Sequence, residues 1–276
     1  MKAALCQLNV SDDPAANLAV TRQMVRDAAM QGAEFVLTPE VSNCVSTSRK
    51  HQRSVLQHEG DDITLAGLRE EAKTHGIWLL IGSLALLTED ADGRFANRSF
   101  LISPKGDIIA RYDKIHMFDV DIDKTESYRE SSGYRPGGQA VLADTPFAKI
   151  GMTVCYDVRF PALYQALAQA GAQILTVPAA FSPVTGAAHW HALLRARAIE
   201  TGCFVLAPAQ TGTHASARHK TRDTYGHSLA VAPWGEVLID AEDEPGVYIF
   251  DLDMEKCAAA RARVPSLANK RAFSLP

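Results

Sequence analysis

The chain has 276 residues, with 28 Lys and Arg against 32 Asp and Glu, for a formal net charge of −4. It is 47% hydrophobic and 22% charged, a composition that fits a soluble globular protein with a substantial core. A sequence pI near 6.1 excludes a general nucleic-acid or anionic-membrane binder, which needs a basic face.

In chain order, "KAALCQLNV" (2–10) reads as a strand and "DPAANLAVTRQMVRDAAMQG" (13–32) as a helix. Asp13 is placed to cap that helix, Pro14 stands at its first position, and Gly32 lies just past its end. "AEFVLTP" (33–39) is a short apolar run of the fully buried strand type. A helix over 61–76 ends at Gly76, a strand follows over 77–86, and residues 97–114 give two strands joined by a tight turn at 104–106.

The second half repeats the order. Strand-like "KIGMTVCYDV" (149–158) precedes helix-like "PALYQALAQAG" (161–171), strand-like "AQILTVP" (172–178) and helix-like "AAHWHALLRARAIETG" (187–202). "CFVLAPA" (203–209) is the next strand, and "SLAVAPWGEVLID" (228–240) repeats the hairpin with its Pro-x-Gly turn. Six recurring stations predict two copies of one layered α/β unit, packed as a single domain over residues 1–276. In this alignment Cys6 stands opposite Cys155, Glu40 opposite Ala179, and Lys114 roughly opposite Asp243. The fold therefore does not require Glu or Lys at those stations, which favours a chemical role for them.

No Asp, Glu, Lys or Arg occurs from Phe160 to Leu194, but Pro161, Gly171, Pro178, Pro183 and Gly186 divide that stretch into buried-core pieces. The N-terminal stretch is broken by Gln7 and Asn9 and is too weak for a signal peptide. Five scattered cysteines (6, 44, 155, 203, 257) make no C-x-x-C pair and no Cys/His metal spacing. A reducing, cytoplasmic location without a metal is expected.

Glu40, Lys114 and Cys155 each follow a strand, where sheets of this kind gather functional groups. A thiol needs a base to take its proton or a cation to favour the thiolate; Glu40 can be the base and Lys114 the cation. Lys114 can also stabilise an oxyanion, with the backbone N–H of Tyr156 as second donor. Taken alone, each residue reads more simply: a core cysteine, a loop glutamate, a surface lysine.

"TPE" (38–40), "KIHMFDVD" (114–121) and "CYDVRFP" (155–161) resemble the three signature regions of the nitrilase, or carbon–nitrogen hydrolase, superfamily, in the right order. The resemblance implies a nitrilase-type α-β-β-α sandwich with sheets extended by dimerisation, a homodimer or higher homo-oligomer, a small-molecule amide substrate, and no metal or cofactor. It assigns Glu40 as general base, Lys114 as oxyanion stabiliser and Cys155 as nucleophile. It also places a second glutamate at Glu130, in "YRESS", next to these three, with Glu126 as the weaker rival. Arg159 resembles an arginine that binds a substrate carboxylate; the alternative is a structural pair with Asp157 or a core-edge carboxylate. His116 and Asp119 are expected to orient the lysine loop, and Arg197 with Glu200 to form a helical ion pair.

The second half is similar to the nit-type branch, and "AQTGTHASARHKTRDTYGHS" (209–228) to its members that act on deaminated glutathione rather than to ω-amidases acting on 2-oxoglutaramate. The basic segment 212–222, with His214, Arg218, His219, Lys220 and Arg222, is expected to read the far carboxylate of the substrate, the alternative being a solvated loop. Other classes fit less well. A catalytically idle partner-binding scaffold has no need to keep the Glu, Lys and Cys. A papain-like hydrolase needs a histidine base at a strand end, and "RPGGQA" (135–140) follows no strand as a phosphate loop would.

Overall fold

The computed structural model describes residues 1–122, 127–216 and 220–274. The first half runs β1 (Lys2–Gln7), α1 (Pro14–Met30), β2 (Phe35–Leu37), α2 (Arg49–Val55), α3 (Ile63–His75), β3 (Trp78–Leu86), β4 (Ala96–Ile102) and β5 (Ile108–Asp113). A small hairpin follows, β6 (Asp119–Asp121) with β7 (Ser127–Arg129), and then β8 (Val141–Asp144). The second half runs β9 (Lys149–Met152), α4 (Pro161–Gln169), β10 (Ile174–Thr176), α5 (Pro183–Thr201) and β11 (Phe204–Ala207). A hairpin of β12 (Thr211–His214) and β13 (Arg222–Tyr225) comes next, then β14 (Leu229–Val231), β15 (Val237–Asp240), β16 (Gly246–Asp251) and α6 (Glu255–Arg263).

The local signals behave as their chemistry dictates. Asp13 caps α1 by accepting from the Ala15 and Ala16 N–H groups, and α3 ends at Gly76 with φ 64°. The charge-free stretch from Phe160 to Leu194 is divided among α4, β10 and the start of α5. Among the described residues no helix is long and apolar enough to cross a membrane.

Each half builds a sheet on the same plan. One sheet has the order β16-β1-β2-β3-β4-β5, the other β8-β9-β10-β11-β14-β15. In both, the three strands after the edge strand are parallel to one another, and the remaining neighbours are antiparallel. The edge strands are exchanged: β8, from the end of the first half, pairs with β9, and β16, from the end of the second, returns to pair with β1.

Period-2 alternation decides which layer each side chain joins. Ala3, Leu5, Phe35, Leu37 and Leu80 point towards the second sheet and share a core with Ile150, Met152, Ile174 and Val205. Ala4, Cys6, Val36, Leu79 and Ile81 point the other way, onto Val25, Leu65 and Leu68 of α1 and α3. Trp190 and Leu194 of α5 and Leu163 and Leu167 of α4 cover the outer side of the second sheet. The result is an α-β-β-α sandwich.

The ladders correct one pairing between the halves. Ala3 pairs with Phe35 and Ile150 with Ile174, so counting five residues on from each places Leu8, not Cys6, at the station of Cys155. The same count keeps Glu40 opposite Ala179. Cys6 lies in the helix-facing core, where burial and then the Asp27 carboxylate push its thiol up to about 12.

Candidate active site

The turn after β2 is forced by close packing. Beyond Leu37 the chain runs through Thr38 and Pro39 to Glu40 against the bulged part of β3. A Cβ on Gly82 would lie 2.0 Å from the Thr38 carbonyl oxygen and 2.6 Å from that of Pro39, so only glycine fits. Val41 then takes φ 47°, a left-handed conformation costly for a β-branched residue. It is held there by bonds from Val41 N to Ser83 Oγ (2.8 Å) and from Ser42 N to Ser83 O (3.0 Å). The Glu40 side chain is thereby turned inward and left 4% exposed.

Lys114 follows β5, with its N–H on Asn97 O (3.0 Å) and its carbonyl accepting from Gly137 N (2.8 Å). Its Nζ lies 2.9 Å from Glu40 Oε1 and 2.8 Å from Glu130 Oε2, and also donates to Glu130 Oε1 at 3.0 Å. Glu130 opens the short 3₁₀ turn Glu130–Ser132 after β7 and accepts from Phe118 N (2.7 Å). Asn97 Nδ2 bridges the two carboxylates, at 2.8 Å from Glu40 and 3.3 Å from Glu130. The second oxygen of Glu40 accepts from Ala180 N (2.8 Å), which belongs to the other half of the chain.

Cys155 opens another 3₁₀ turn, Cys155–Arg159, and has φ 50°. β9 is shorter than the apolar run suggests, and the cysteine sits just beyond its end, on a strained elbow. Its own N–H is taken by Pro178 O (2.9 Å). The Tyr156 N–H is among those that a helix start leaves without an intrahelical acceptor. Asp157, fully buried, locks this elbow to the lysine loop: it accepts from Val154 N (2.8 Å), Tyr112 Oη (2.7 Å) and His116 N (3.0 Å), and pairs with His116 Nδ1 (2.7 Å).

Protonation follows from burial set against pairing. Burial first, and then the charge of Glu40, push the Cys155 thiol well above its usual range, and the thiol is hydrogen-bonded to Glu40. Burial alone would raise Glu40, but the Lys114 ammonium outweighs it and holds the carboxyl below its usual value. Burial would likewise lower Lys114; Glu130 and Glu40 overcome that and hold it well above. At rest the site therefore holds a neutral thiol beside the Glu40 carboxylate and the Lys114 ammonium. Arg222 lies close enough to Glu40 to lower it further, and its Nη2 donates to Ala180 O (2.7 Å). Such a site can move the thiol proton to Glu40 as sulfur attacks, with an ammonium ready for an anion.

The remaining expected residues fall in several places. Arg159 does not pair with Asp157, whose oxygens are already taken; its guanidinium lies 5.4 Å from the Phe181 ring and 5.9 Å from Tyr156, with Nη2 3.3 Å from His189 Nδ1. His116 does hold the lysine loop, stacked on Phe160 at 3.5 Å. Asp119 instead caps the Glu130 turn through Ser131 N (3.0 Å). Arg197 and Glu200 pair at 2.6 Å.

The described residues of the basic segment 212–222 include the end of β12 and the start of β13. His214 is buried in β12 between Val10 O (2.6 Å) and Thr224 Oγ1 (2.7 Å), and burial lowers it to about 4, so it is an uncharged structural residue. Lys220 is exposed, and its carbonyl accepts from Thr47 Oγ1 (2.8 Å). Arg218, His219 and Glu126 lie outside the described residues.

Sequence reasoning missed Asn97 and the linking role of Asp157. A signal existed for Asn97: in "ANRSFLI" it falls on the buried phase of the strand, where a polar side chain needs partners.

The model of the carbon–nitrogen hydrolase family matches residues 2–262. A deaminated glutathione amidase of Yersinia enterocolitica is 40% identical over 272 residues, covering 98% of this chain and 93% of its own. Among solved structures, the NitFhit protein of C. elegans superposes with a TM-score of 0.89 at 32% identity, covering 98% of this chain and 65% of that longer one. An amidase of Nesterenkonia sp. AN1 superposes with a TM-score of 0.80 at 25% identity, covering 98% and 94%. That structure carries the acetamide moiety of fluoroacetamide covalently added at its active-site cysteine. With a family match over nearly its whole length and a relative at 40% identity, this chain belongs to the carbon–nitrogen hydrolase family.

Proposed function

We propose that this protein is an amidase that hydrolyses deaminated glutathione to 2-oxoglutarate and cysteinylglycine through a thioester on Cys155. The observation that carries the reading is the buried Glu40–Lys114–Glu130 cluster set against the Cys155 thiol. The names of the relatives, led by the Yersinia enterocolitica amidase, point to the same substrate.

In this reading Glu40 takes the thiol proton as sulfur attacks the side-chain amide carbon. The oxyanion forms beside Lys114 Nζ and the Tyr156 N–H. Glu40, now protonated, gives its proton to the departing amine of cysteinylglycine. Water then attacks the thioester, Glu40 takes one of its protons, and 2-oxoglutarate leaves with the thiol restored. Glu130 holds Lys114 with both oxygens, so the ammonium stays in place while Glu40 changes charge. Arg159 and Arg222 are the cations offered to the carboxylates of the substrate, with Lys220 and Arg218 further along the same segment. Side chains and backbone handle every proton and charge, so the reading calls for no cofactor. Turnover should survive chelators and stop on alkylation of Cys155.

The same reading takes residues 1–276 as one domain, which the exchange of β8 and β16 supports, and the enzyme as a cytoplasmic homodimer. Ile199 on α5, Trp234 in the turn between β14 and β15 and Val264 after α6 are exposed large apolar side chains that a second copy would cover. Sedimentation equilibrium tests this, and a monomer at micromolar concentration would remove the dimer.

The deciding experiment compares kcat/KM for deaminated glutathione and 2-oxoglutaramate and seeks the 2-oxoglutaryl adduct on Cys155 by mass spectrometry. Preference for 2-oxoglutaramate would make the protein an ω-amidase. Turnover of neither, with no adduct, would leave a partner-binding scaffold.

A further inference from the structure

Away from the Cys155 crevice, three side chains from three segments meet on the outer side of the second sheet. His191 stands on α5, His227 in the turn before β14, and Asp240 at the end of β15. His191 Nε2 lies 2.7 Å from Asp240 Oδ2, and His227 Nδ1 lies 2.8 Å from Asp240 Oδ1. The three donor atoms all fall within 4.8 Å of one another. We propose that His191, His227 and Asp240 form a binding site for a zinc ion, separate from the amidase site.

The donor set is the first reason. Two imidazoles and one carboxylate suit zinc, and with three protein ligands a fourth, tetrahedral position stays open to water. Ligand atoms on a tetrahedral zinc, at bonds of about 2.0–2.1 Å, stand about 3.3 Å apart. The donor atoms, all within 4.8 Å of one another and with each imidazole nitrogen on its own Asp240 oxygen, therefore need side-chain shifts on the order of an ångström to close around the ion. The side chains of His191, His227 and Asp240 are 37%, 24% and 30% exposed, which gives them room to do so and the ion a way in.

Pre-orientation is the second reason. The His227 backbone is fixed at φ 55°, its N–H on Glu242 O (2.5 Å) and its carbonyl accepting from Trp190 Nε1 (2.8 Å). Its ring is stacked on Tyr225 at 4.4 Å, which aims Nδ1 at Asp240 before any metal arrives. Asp240 Oδ1 is held in addition by Glu242 N (3.0 Å).

Local sequence spacing could not reveal this site, because its ligands are separated by 36 and 13 residues, 227 less 191 and 240 less 227.

The test uses tag-free, full-length protein carrying Cys155→Ala, so that zinc cannot be held by the active-site thiol. Zinc is titrated in competition with a chromophoric chelator, and one equivalent should bind. His191→Ala and Asp240→Asn should each weaken binding at least about tenfold. Zinc should raise the Tm of the Cys155→Ala parent but not of either variant, while wild-type protein with His191→Ala keeps its amidase turnover. Cobalt in place of zinc should give visible bands without a thiolate charge-transfer band. Equal zinc affinity in parent and variants, no stoichiometric binding by the parent, or a thiolate–cobalt band would each overturn the proposal.

Discussion

The duplicated fold offers two equivalent corners, and they are furnished in opposite ways. One holds Glu40, Lys114 and Cys155, three ionisable groups buried together. At the matching stations the other has Ala179, Asp243 and Leu8. There the polar work falls to Gln7, which matches Val154. Its amide donates to Glu242 O (3.0 Å) and Glu244 O (2.9 Å), and its oxygen accepts from Ser228 N (2.7 Å). Asp243 is exposed, and its carbonyl is taken by Thr211 Oγ1 (2.7 Å). One corner is satisfied entirely from within the chain. The other keeps an ammonium between two carboxylates beside a neutral thiol, an arrangement whose desolvation makes it a poor source of stability. The fold closes without those charges in its second copy, which supports the chemical role proposed for them in the first.

Substituting the same station in both corners is the sharpest way to break this comparison. Cys155→Ser should abolish nearly all turnover and leave the fold intact, because the higher pKa of serine leaves Glu40 too weak a base. Glu40→Gln and Lys114→Ala should each lower kcat by at least about two to three orders of magnitude. Asp243→Asn should shift stability by no more than about 0.5 kcal/mol and leave kcat unchanged. Steady-state kinetics with matched denaturation curves checks all four, and a Cys155→Ser protein retaining a tenth of the wild-type rate would end the distinction.

The silent corner should respond in stability alone. Leu8→Ala should cost about 2–5 kcal/mol as a cavity-forming change. Gln7→Leu should cost about 1–3 kcal/mol for each backbone group it leaves unpartnered. Turnover per folded molecule should hold in both, and a fall in kcat without a fall in stability would show that this corner reaches the chemistry.

His214 sharpens the contrast, since it is a buried ionisable group kept uncharged rather than paired. Unfolded, it takes a proton near pH 6.5; folded, only near pH 4. Between those values the unfolded chain holds more protons, so this contribution is complete above pH 6.5 and is lost as pH falls towards 4, by about 2 kcal/mol at pH 5. Urea midpoints from pH 7 to 4.5 should flatten in His214→Asn, and parallel curves would refute the assignment.

The smallest effect is expected at Arg222. Arg222→Gln removes a positive charge that favours the Glu40 carboxylate, so the Glu40 pKa should rise and the acid limb of the pH–rate profile move to higher pH. KM for the anionic substrate should rise as well. An unmoved acid limb would separate Arg222 from the catalytic charges.

The layered plan and the stations of Glu40, Lys114 and Cys155 were legible because they rest on local pattern: a buried apolar run, a capped helix, a Pro-x-Gly hairpin, each repeated. Glu130 came from the family resemblance, since nothing local in "YRESS" distinguishes it from a loop carboxylate. What stayed hidden depends on partners distant in the chain. Asp157 looks like half of an ion pair with Arg159 until Tyr112 and His116, folded in from the first half, occupy its oxygens. His214 looks like part of a basic loop until β12 pairs with β13 and buries it. The two-residue error in matching Cys6 to Cys155 has a similar origin, because a shared residue type misleads where a ladder register does not.

The exchanged edge strands bear on how the chain is made. Lys2 pairs with Asp251, so β1 cannot gain its outer neighbour until β16, some 250 residues later in the chain, has left the ribosome. Until then a nascent first half presents an open row of backbone donors and acceptors on an apolar strand, the kind of edge that recruits other chains. Contacts between the two ends of the sequence also make for slow completion. A chain stalled before residue 246 would hold that edge open indefinitely, and this protein should therefore depend on chaperones most in the interval before β16 emerges.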